Sequence, residues 1–265
     1  MPILVGTSGW QYRDWREPFY EGRPQRLWLE HYATRFATVE VNNAFYRLPE
    51  RSVFEQWRER TPDGFVVAVK VSRYLTHIRR LRDPAEPVAR LAERAAGLGD
   101  RLGPYLLQLP PDLKAEPERL DECLGRFPAG SQVAVEPRHA SWWTDEVRDV
   151  LARHGAALCW SDRRSRSLTP PWVTADWGYV RLHEGTASPW PSYGRRALQG
   201  WLDRLCDAWP AAADVYVYFN NDQGAAAVRN AATLARLVAA RGRAPVAPGG
   251  WDRRAGNGDR RPGDG

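Results

Sequence analysis

Lysine is nearly absent from this chain of 265 residues, and a long apolar segment is missing altogether. Lys70 and Lys114 are the two lysines among 38 basic residues, so arginine supplies almost all of the positive charge. No apolar run approaches the ~18 residues that a membrane-spanning helix needs, and the mean hydropathy is -0.57. The first residues also lack the basic and apolar regions of a signal peptide. We therefore predict a cytoplasmic protein that does not engage a membrane.

Cysteine is scarce as well. Cys123, Cys159 and Cys206 are odd in number, far apart and in no metal-binding spacing. This excludes a disulfide-stapled scaffold and a cysteine-based zinc site, and it predicts reduced thiols. No cofactor is predicted from these residues.

The formal net charge is +6, and the charge is unevenly distributed along the chain. Residues 241–265 hold six arginines against three aspartates, which is +3, or half of the total. This segment is rich in glycine, proline and arginine and has no apolar periodicity, which predicts a disordered tail. The remaining residues, 1–240, then form a single domain with an ordinary charge for its size. A basic tail could contact nucleic acid, but a short run of mixed charge is more typical of a solvated segment.

Short β-rich runs alternate with segments of helical periodicity along the whole domain. Helices are predicted over 26–36, 51–60, 87–98, 144–154, 196–209 and 225–241. Eight strands are predicted, over 3–6, 38–42, 65–70, 105–109, 132–136, 157–160, 179–183 and 215–220.

Alternating strands and helices predict a parallel sheet of the α/β class. Eight such units predict closure into a TIM (β/α)8 barrel, for which roughly 250 residues suffice. The alternative is an open, doubly wound sheet. However, the segment Gly6-Thr7-Ser8-Gly9 after the first strand does not have the glycine spacing of a phosphate-binding fingerprint.

Polar residues recur at the ends of these otherwise apolar strands. Side chains alternate between the two faces of a strand, so Glu40 and Asn42 oppose Val39 and Val41. In a TIM barrel the carboxyl ends of the strands carry the active site. A mouth lined by polar side chains is thus predicted, with contributions from Glu40, Asn42, Lys70, Gln108, Glu136, Arg138, Arg181, His183 and Asn220.

The residue types suggest separate roles within this mouth. Glu40 and Glu136 are candidates for general base and acid, with His183 as an alternative proton carrier, and Lys70 is a catalytic or anion-binding amine. Asp162 and Asp222 lie just beyond strand ends, His77 is a candidate lid residue, and Trp142 could stack on a ring-shaped substrate. The predicted substrate-binding residues are Asn42, His77, Gln108, Arg138, His139, Trp142, Asp162, Arg181, Asn220 and Asp222.

Several short motifs spread over residues 3–235 occur in one recognisable combination. They are Gly6-Thr7-Ser8-Gly9-Trp10, Val39-Glu40-Val41-Asn42, Phe45-Tyr46-Arg47-Leu48-Pro49, Gln108-Leu109-Pro110-Pro111, Glu136-Pro137-Arg138-His139, Val180-Arg181-Leu182-His183 and Tyr218-Phe219-Asn220-Asn221-Asp222. This combination resembles the domain-of-unknown-function 72 family, also called YecE-like. The resemblance implies a TIM-barrel-like fold with a pocket and implies no particular reaction. Glu184 stands where the family pattern has glycine, which predicts a different loop after the seventh strand.

Three functions are compatible with these residues. The favoured one is an enzyme, a hydrolase or a lyase, that acts on a small anionic or phosphorylated substrate bound by Lys70, Arg138 and Arg181. A metal-dependent hydrolase or isomerase is the second, although no HxH or HExxH spacing is present. The third is a single-stranded nucleic-acid-binding module in which tryptophans stack beside arginines. Metal ligands in the second case would be Glu40, Glu136, Asp162, Asp222 and His183.

Overall fold

A computed structural model describes residues 2–164, 166–209 and 213–245. Of the predicted tail, residues 241–245 are included, and residues 246–265 lie outside the described part of the chain. Within the described part, no helix is both long and apolar enough to cross a membrane.

Each predicted strand is present, with bounds that differ by a few residues. The sixth is interrupted at Cys159, and a short strand follows it to form a hairpin. The strands of the described residues are β1 (Ile3–Thr7), β2 (Thr38–Val41), β3 (Val66–Lys70), β4 (Leu102–Gln108), β5 (Val133–Glu136), β6 (Ala157–Leu158), β7 (Trp160–Arg163), β8 (Arg166–Ser167), β9 (Gly178–Leu182) and β10 (Val215–Phe219).

The six predicted helices are also present, and two short ones, α2 and α5, were not predicted. In α6 the predicted cap is observed, since the Thr144 hydroxyl accepts a hydrogen bond from the Val147 amide at 3.3 Å. The α-helices of the described residues are α1 (Trp28–Ala33), α2 (Asn43–Tyr46), α3 (Arg51–Glu59), α4 (Ala85–Ala95), α5 (Pro117–Leu124), α6 (Asp145–Arg153), α7 (Arg195–Ala208) and α8 (Ala226–Ala240).

The strands form two five-stranded sheets, in the orders β2-β3-β4-β5-β6 and β1-β10-β9-β7-β8. All pairs are parallel except the β7–β8 hairpin. The fold is therefore a mixed α/β fold built on parallel sheets. The sheets meet at two places: an isolated parallel bridge joins Ser8 to Glu40, and Cys159 alone separates β6 from β7. Gly6 permits the close approach of β1 to β2, because a Cβ atom there would lie 2.1 Å from the Thr38 carbonyl oxygen.

Apolar side chains are divided between two clusters according to strand parity. Valines such as Val39 and Val41 belong to the larger cluster, which also contains the buried helix faces. Residues of the opposite parity, such as Ala68 and Leu106, belong to a smaller cluster that draws on both sheets. Lys70 and Gln108 follow Ala68 and Leu106 at a spacing of two, so they lie on the same strand faces at the carboxyl ends. The predicted alternation of polar and apolar positions is thereby observed.

Candidate functional site

A cavity of about 460 Å³ opens at the carboxyl ends of the strands. Its size falls within the roughly 300–1,000 Å³ of small-molecule sites. It is lined by Gly9, Trp10, Gln11, Tyr12, Asn42, Asn43, Tyr46, Lys70, Gln108, Arg138, Arg181, Asn220 and Asp222.

Arg181 connects two carboxylates in the floor of this cavity. Its Nη1 donates to Glu136 Oε2 at 2.7 Å, and its Nη2 donates to Glu40 Oε1 at 2.8 Å. The second oxygen of Glu40 accepts from the Tyr179 hydroxyl at 2.7 Å. All three charged side chains are at most 1% exposed. A buried ion pair is tolerated when each charge is neutralised and hydrogen-bonded. This arrangement meets that condition at every carboxylate oxygen and at both terminal nitrogens of Arg181, while Arg181 Nε is buried without a partner among the described residues.

His183 extends the same arrangement from Glu136. Its Nε2 lies 2.9 Å from Glu136 Oε1, and its Nδ1 lies 3.0 Å from Asn220 Nδ2. A carboxylate only accepts and an amide nitrogen only donates, so the neutral ring protonated at Nε2 satisfies both contacts. Burial lowers the pKa of His183, and the hydrogen bond to Glu136 opposes that shift. We call Glu40, Arg181, Glu136 and His183 the inner network.

Glu136 is held in its ionised form. Burial alone would raise its pKa, but the charges of Arg181 and Arg138 and the hydrogen bond from His183 together hold the pKa well below its ordinary value. Arg138 reaches the same carboxylate, with Nη2 at 3.3 Å from Oε1. Both oxygens of Glu136 are therefore occupied by donors.

Lys70 is a buried cation of a different kind. It is 9% exposed, and no carboxylate of the described chain forms an ion pair with it. Its Nζ lies over the Phe45 ring, 4.1 Å from the centroid. Burial and then the Arg181 charge lower its pKa to about 8. The amine is therefore protonated at neutral pH and lacks a counter-charge.

Gln108 and Asp222 also have unused polar atoms at the cavity wall. Gln108 is 5% exposed, and its carboxamide makes no hydrogen bond to the described residues. Asp222 Oδ1 is buried without a hydrogen-bond partner, and burial raises the pKa of this carboxyl to about 7. The neighbouring Tyr12 hydroxyl gives its proton to the Ser8 carbonyl at 2.5 Å. We call Lys70, Gln108 and Asp222 the open set.

Asp162 lies behind the cavity rather than on its wall. It is fully buried, and its Oδ1 accepts from the Tyr193 hydroxyl at 2.5 Å and from the His183 amide at 3.2 Å. Burial raises its pKa to about 6. Asp162 thus positions the backbone of His183, and the prediction of a substrate-binding role is not supported by its location.

Of the inner network, Glu40, Glu136 and His183 lie behind the cavity lining, and three predicted residues outside this network do not reach the cavity wall either. Trp142 is completely buried and donates to the Leu113 carbonyl at 2.8 Å, because the short helical turn at Ala140–Trp142 directs its ring into the core. His139 caps that turn by accepting from the Ser141 amide. His77 packs edge-on against Phe45 at 5.0 Å, one layer behind Lys70.

Other residues at the site were not predicted to belong to it. Gln11, Asn43 and Tyr46 line the cavity, and Tyr179 and Tyr193 complete the hydrogen bonding of the buried carboxylates. A signal for the first three was available, since Gln11 and Asn43 adjoin the sequence motifs at residues 6–10 and 39–42, and Tyr46 lies within the motif at residues 45–49. Nothing in the sequence marks the tyrosines as partners of carboxylates, because their contacts span 139 and 31 residues.

The carboxylates are also poorly disposed for a metal ion. No group of three histidine, cysteine or carboxylate side chains in the described part of the chain is arranged to hold one. All four oxygens of Glu40 and Glu136 already accept hydrogen bonds from protein donors. A metal at this place would have to displace Arg181 or Tyr179. Cys123, Cys159 and Cys206 are free thiols.

Similar proteins are found by sequence and by structure. UPF0759 protein YecE of Escherichia coli K12 is 33% identical over 158 residues, which is 58% of this chain and 54% of that protein. This match therefore spans about half the length of that relative. UPF0759 protein YunF of Bacillus subtilis is 22% identical over 272 residues, 89% of this chain and 94% of the other.

Comparison of the folds also finds similar proteins. The crystal structure of a DUF72 family protein from Thermotoga maritima superimposes with a TM-score of 0.79 and 27% identity, covering 90% of this chain and 100% of that one. The family model described as "Protein of unknown function DUF72" matches residues 4–252. This chain therefore belongs to the DUF72 family.

Proposed function

We propose that this protein is an enzyme that binds a small anionic, phosphorylated substrate in the cavity and acts on it by acid–base chemistry. The observation that carries the proposal is Lys70, a buried cation on the cavity wall without a carboxylate partner among the described residues. Burying a charge without a counter-ion costs several kcal/mol. An anionic ligand would supply the missing charge.

The balance of charge around the cavity supports an anion. Lys70, Arg138 and Arg181 face two carboxylates, Glu40 and Glu136, which leaves a formal charge of +1 while the Asp222 carboxyl is protonated. Arg181 is already neutralised by its two carboxylates. Arg138 makes one long contact to Glu136 and is 37% exposed, so most of its guanidinium is open to the cavity. Guanidinium and ammonium groups together are a common phosphate-binding pair.

Asp222 is the proposed proton donor and acceptor. A general acid or base is most effective when its pKa lies near the working pH, and the Asp222 pKa of about 7 meets that requirement. Glu40 and Glu136, predicted from the sequence to fill these roles, are assigned a positioning role instead. Their oxygens are saturated with hydrogen bonds that hold Arg181 and His183. A hydrolase and a lyase both need such a proton-transferring group, and we retain those two classes.

We further infer that the two sheets close into one (β/α)8 barrel, with residues 1–240 as a single domain. The bridge between Ser8 and Glu40 and the single residue between β6 and β7 support closure at both edges. The smaller apolar cluster, which includes Ala68 from one sheet and Tyr218 from the other, supports a common interior. A cavity at the carboxyl ends is where barrel enzymes carry their active sites.

Calorimetric titration with inorganic phosphate tests the anion site. Wild-type protein is expected to bind phosphate, and Lys70→Met is expected to lose at least about tenfold in affinity, the equivalent of about 1.4 kcal/mol. Lys114→Met is the matched control, because Lys114 is the other lysine and is exposed. Equal phosphate binding by Lys70→Met and wild type would contradict the proposal.

Turnover of a panel of phosphate monoesters tests the chemistry. Asp222→Asn is expected to retain phosphate binding and to lose about 100-fold or more in rate, the usual contribution of a general acid or base. Asp176→Asn serves as the control, since Asp176 is exposed and distant from the cavity lining. An unchanged rate in Asp222→Asn would remove that residue from the mechanism.

A further inference from the structure

The wall of the cavity is unusually rich in carboxamide side chains. A carboxamide offers both donors and acceptors, which matches the hydroxyl groups of a polyol, whereas a purely anionic ligand would be served by cations alone. Five such side chains line the cavity: Gln11, Asn42, Asn43, Gln108 and Asn220.

Gln108 is the most informative of them. It is 5% exposed, and it has no hydrogen-bond partner among the described residues. The described part of the protein does not hold this amide, which faces the cavity and can bond to the hydroxyl groups of a ligand. Strand β4 lies between β3 and β5, which places Gln108 between Lys70 and Arg138.

The other four carboxamides retain free polar atoms. Asn42 donates to the Ser8 carbonyl at 3.0 Å, but its Oδ1 has no partner. Asn43 donates to Gln11 at 3.2 Å, and Asn220 contacts His183 at 3.0 Å. Gln11, Asn43 and Asn220 each use one end of the amide on a described neighbour and leave the other end for a ligand, whereas Asn42 Oδ1 is buried from solvent.

An aromatic ring completes the rim. Tyr46 lies at the end of α2 and is 74% exposed, although it contributes to the cavity lining. Its ring contacts Phe45 edge-on, so a face of the ring is left uncovered. An exposed aromatic face beside hydrogen-bonding groups provides an apolar surface for the C–H face of a sugar, while the phenol remains hydrated.

We propose that the substrate is a sugar phosphate. The phosphate lies against Lys70 and Arg138, the hydroxyl groups bond to Gln108 and Asn43, and the sugar ring packs on Tyr46. Two cations favour the doubly charged phosphate over a singly charged carboxylate. This inference rests on the proposed function, because it takes the same cavity and the same anion site.

Titration calorimetry with several probes tests this assignment. The probes are inorganic phosphate, glucose 6-phosphate, fructose 6-phosphate, ribose 5-phosphate, gluconate and glucose. At least one sugar phosphate is expected to bind about tenfold or more tightly than inorganic phosphate, the gain that one or two hydrogen bonds and a ring contact provide. Glucose and gluconate are expected to bind more weakly than the sugar phosphates.

Two variants separate the sugar contacts from the phosphate contacts. Tyr46→Ala is expected to keep wild-type affinity for inorganic phosphate and to lose most of the additional affinity that the sugar provides. Gln108→Leu is expected to lose more affinity for the sugar phosphate than for inorganic phosphate. Gln56→Leu and Tyr74→Ala are matched controls outside the cavity lining, in which both affinities are expected to remain. Circular dichroism of each variant verifies that it is folded, and Tyr46, being exposed, keeps the test informative if Gln108→Leu does not fold.

The outcomes distinguish this inference from the function on which it rests. If inorganic phosphate does not bind at all, the anion site itself is wrong. If phosphate binds and no sugar phosphate binds more tightly, only the sugar is wrong. Gluconate binding as tightly as the best sugar phosphate would overturn the choice of phosphate. If both variants kept the wild-type ratio of sugar-phosphate affinity to phosphate affinity, the assigned sugar contacts would be wrong.

Discussion

Two groups of polar side chains share the mouth of the strands and differ in how fully they are bonded. The inner network of Glu40, Arg181, Glu136 and His183 satisfies every carboxylate oxygen and both ring nitrogens. The open set of Lys70, Gln108 and Asp222 leaves an amine, a carboxamide and a carboxyl oxygen without such partners in the described chain. Burial is high in both groups, so burial alone does not separate structure from function.

The two groups differ in the number of hydrogen bonds that a bound ligand could add to them. A group whose hydrogen bonds are complete gains nothing from a ligand and serves to fix geometry. A buried group without a partner retains a cost that only a ligand or a water molecule can remove. We therefore propose that the inner network positions the site and that the open set contacts the substrate. Each of the following variants tests one side of that comparison.

Arg181→Met is expected to have the largest effect on stability. Removal of the cation leaves Glu40 and Glu136 buried together without their shared partner, and breaking such a buried pair costs about 3–5 kcal/mol. Urea unfolding followed by circular dichroism measures the loss in the free energy of unfolding. Arg196→Met is the control, since Arg196 is exposed on α7. A loss below about 1 kcal/mol would show that the inner network is not a structural unit.

Lys70→Met is expected to act in the opposite direction, stabilising the protein by about 2–3 kcal/mol at pH 7, since a pKa difference of one between the folded and unfolded states corresponds to about 1.4 kcal/mol. The folded-state pKa of about 8 lies below the ordinary value of 10.5, so the charged amine disfavours folding. For wild type, the free energy of unfolding should rise as pH rises from about 8 to 10.5.

The matched control for that measurement is again Lys114→Met, which is expected to leave the pH slope of unfolding as in wild type. In Lys70→Met the slope between these pH values should disappear. Destabilisation by Lys70→Met would mean that Lys70 has a protein partner in solution and belongs with the inner network.

Asp222→Asn is expected to stabilise the protein by at most about 4 kcal/mol, and only above about pH 4, where the carboxyl ionises in the unfolded chain. The folded-state pKa of about 7 lies above the ordinary 3.8, so wild type loses stability as pH rises through that interval, because the folded state must retain a proton or bury a charge. The variant lacks that loss and should be the more stable protein at pH 8. If the free energy of unfolding had the same pH dependence in variant and wild type from pH 4 to pH 8, Asp222 would be in contact with solvent.

The sequence predicted the location of this site better than its internal pairing. Parity within short strands correctly assigned Glu40, Lys70, Gln108 and Glu136 to one face, because alternation is a local property of the strand. Strand parity could not show that Arg181 forms ion pairs with both Glu40 and Glu136, or that Lys70 forms an ion pair with neither. That distinction depends on contacts across 141 and 45 residues, which no local pattern encodes.

Residues beyond the strand ends were predicted less well. Trp142 and His139 follow β5 closely, yet a short helical turn directs one into the core and uses the other as its cap. Helix α5 was missed because its eight residues are too short to display a clear apolar period. Parity ends where the strand ends, so the orientation of loop residues has to come from the structure.

The smallest expected effect concerns the protonation of His183, which determines whether the formal charge of the inner network is -1 or 0. Burial lowers the pKa of the ring, and its two contacts select the neutral form with the proton on Nε2. Nitrogen-15 NMR of the ring from pH 5 to pH 8 should show this tautomer, with a titration midpoint below the ordinary 6.5. The signal is assigned by its absence in His183→Gln. Asn220→Ala removes the donor to Nδ1 and should raise the fraction of the other tautomer. A doubly protonated ring at pH 7 would add a cation beside Glu136 and change the formal charge of the inner network from -1 to 0. The positive charge of the open set would then face a neutral support instead of a negative one.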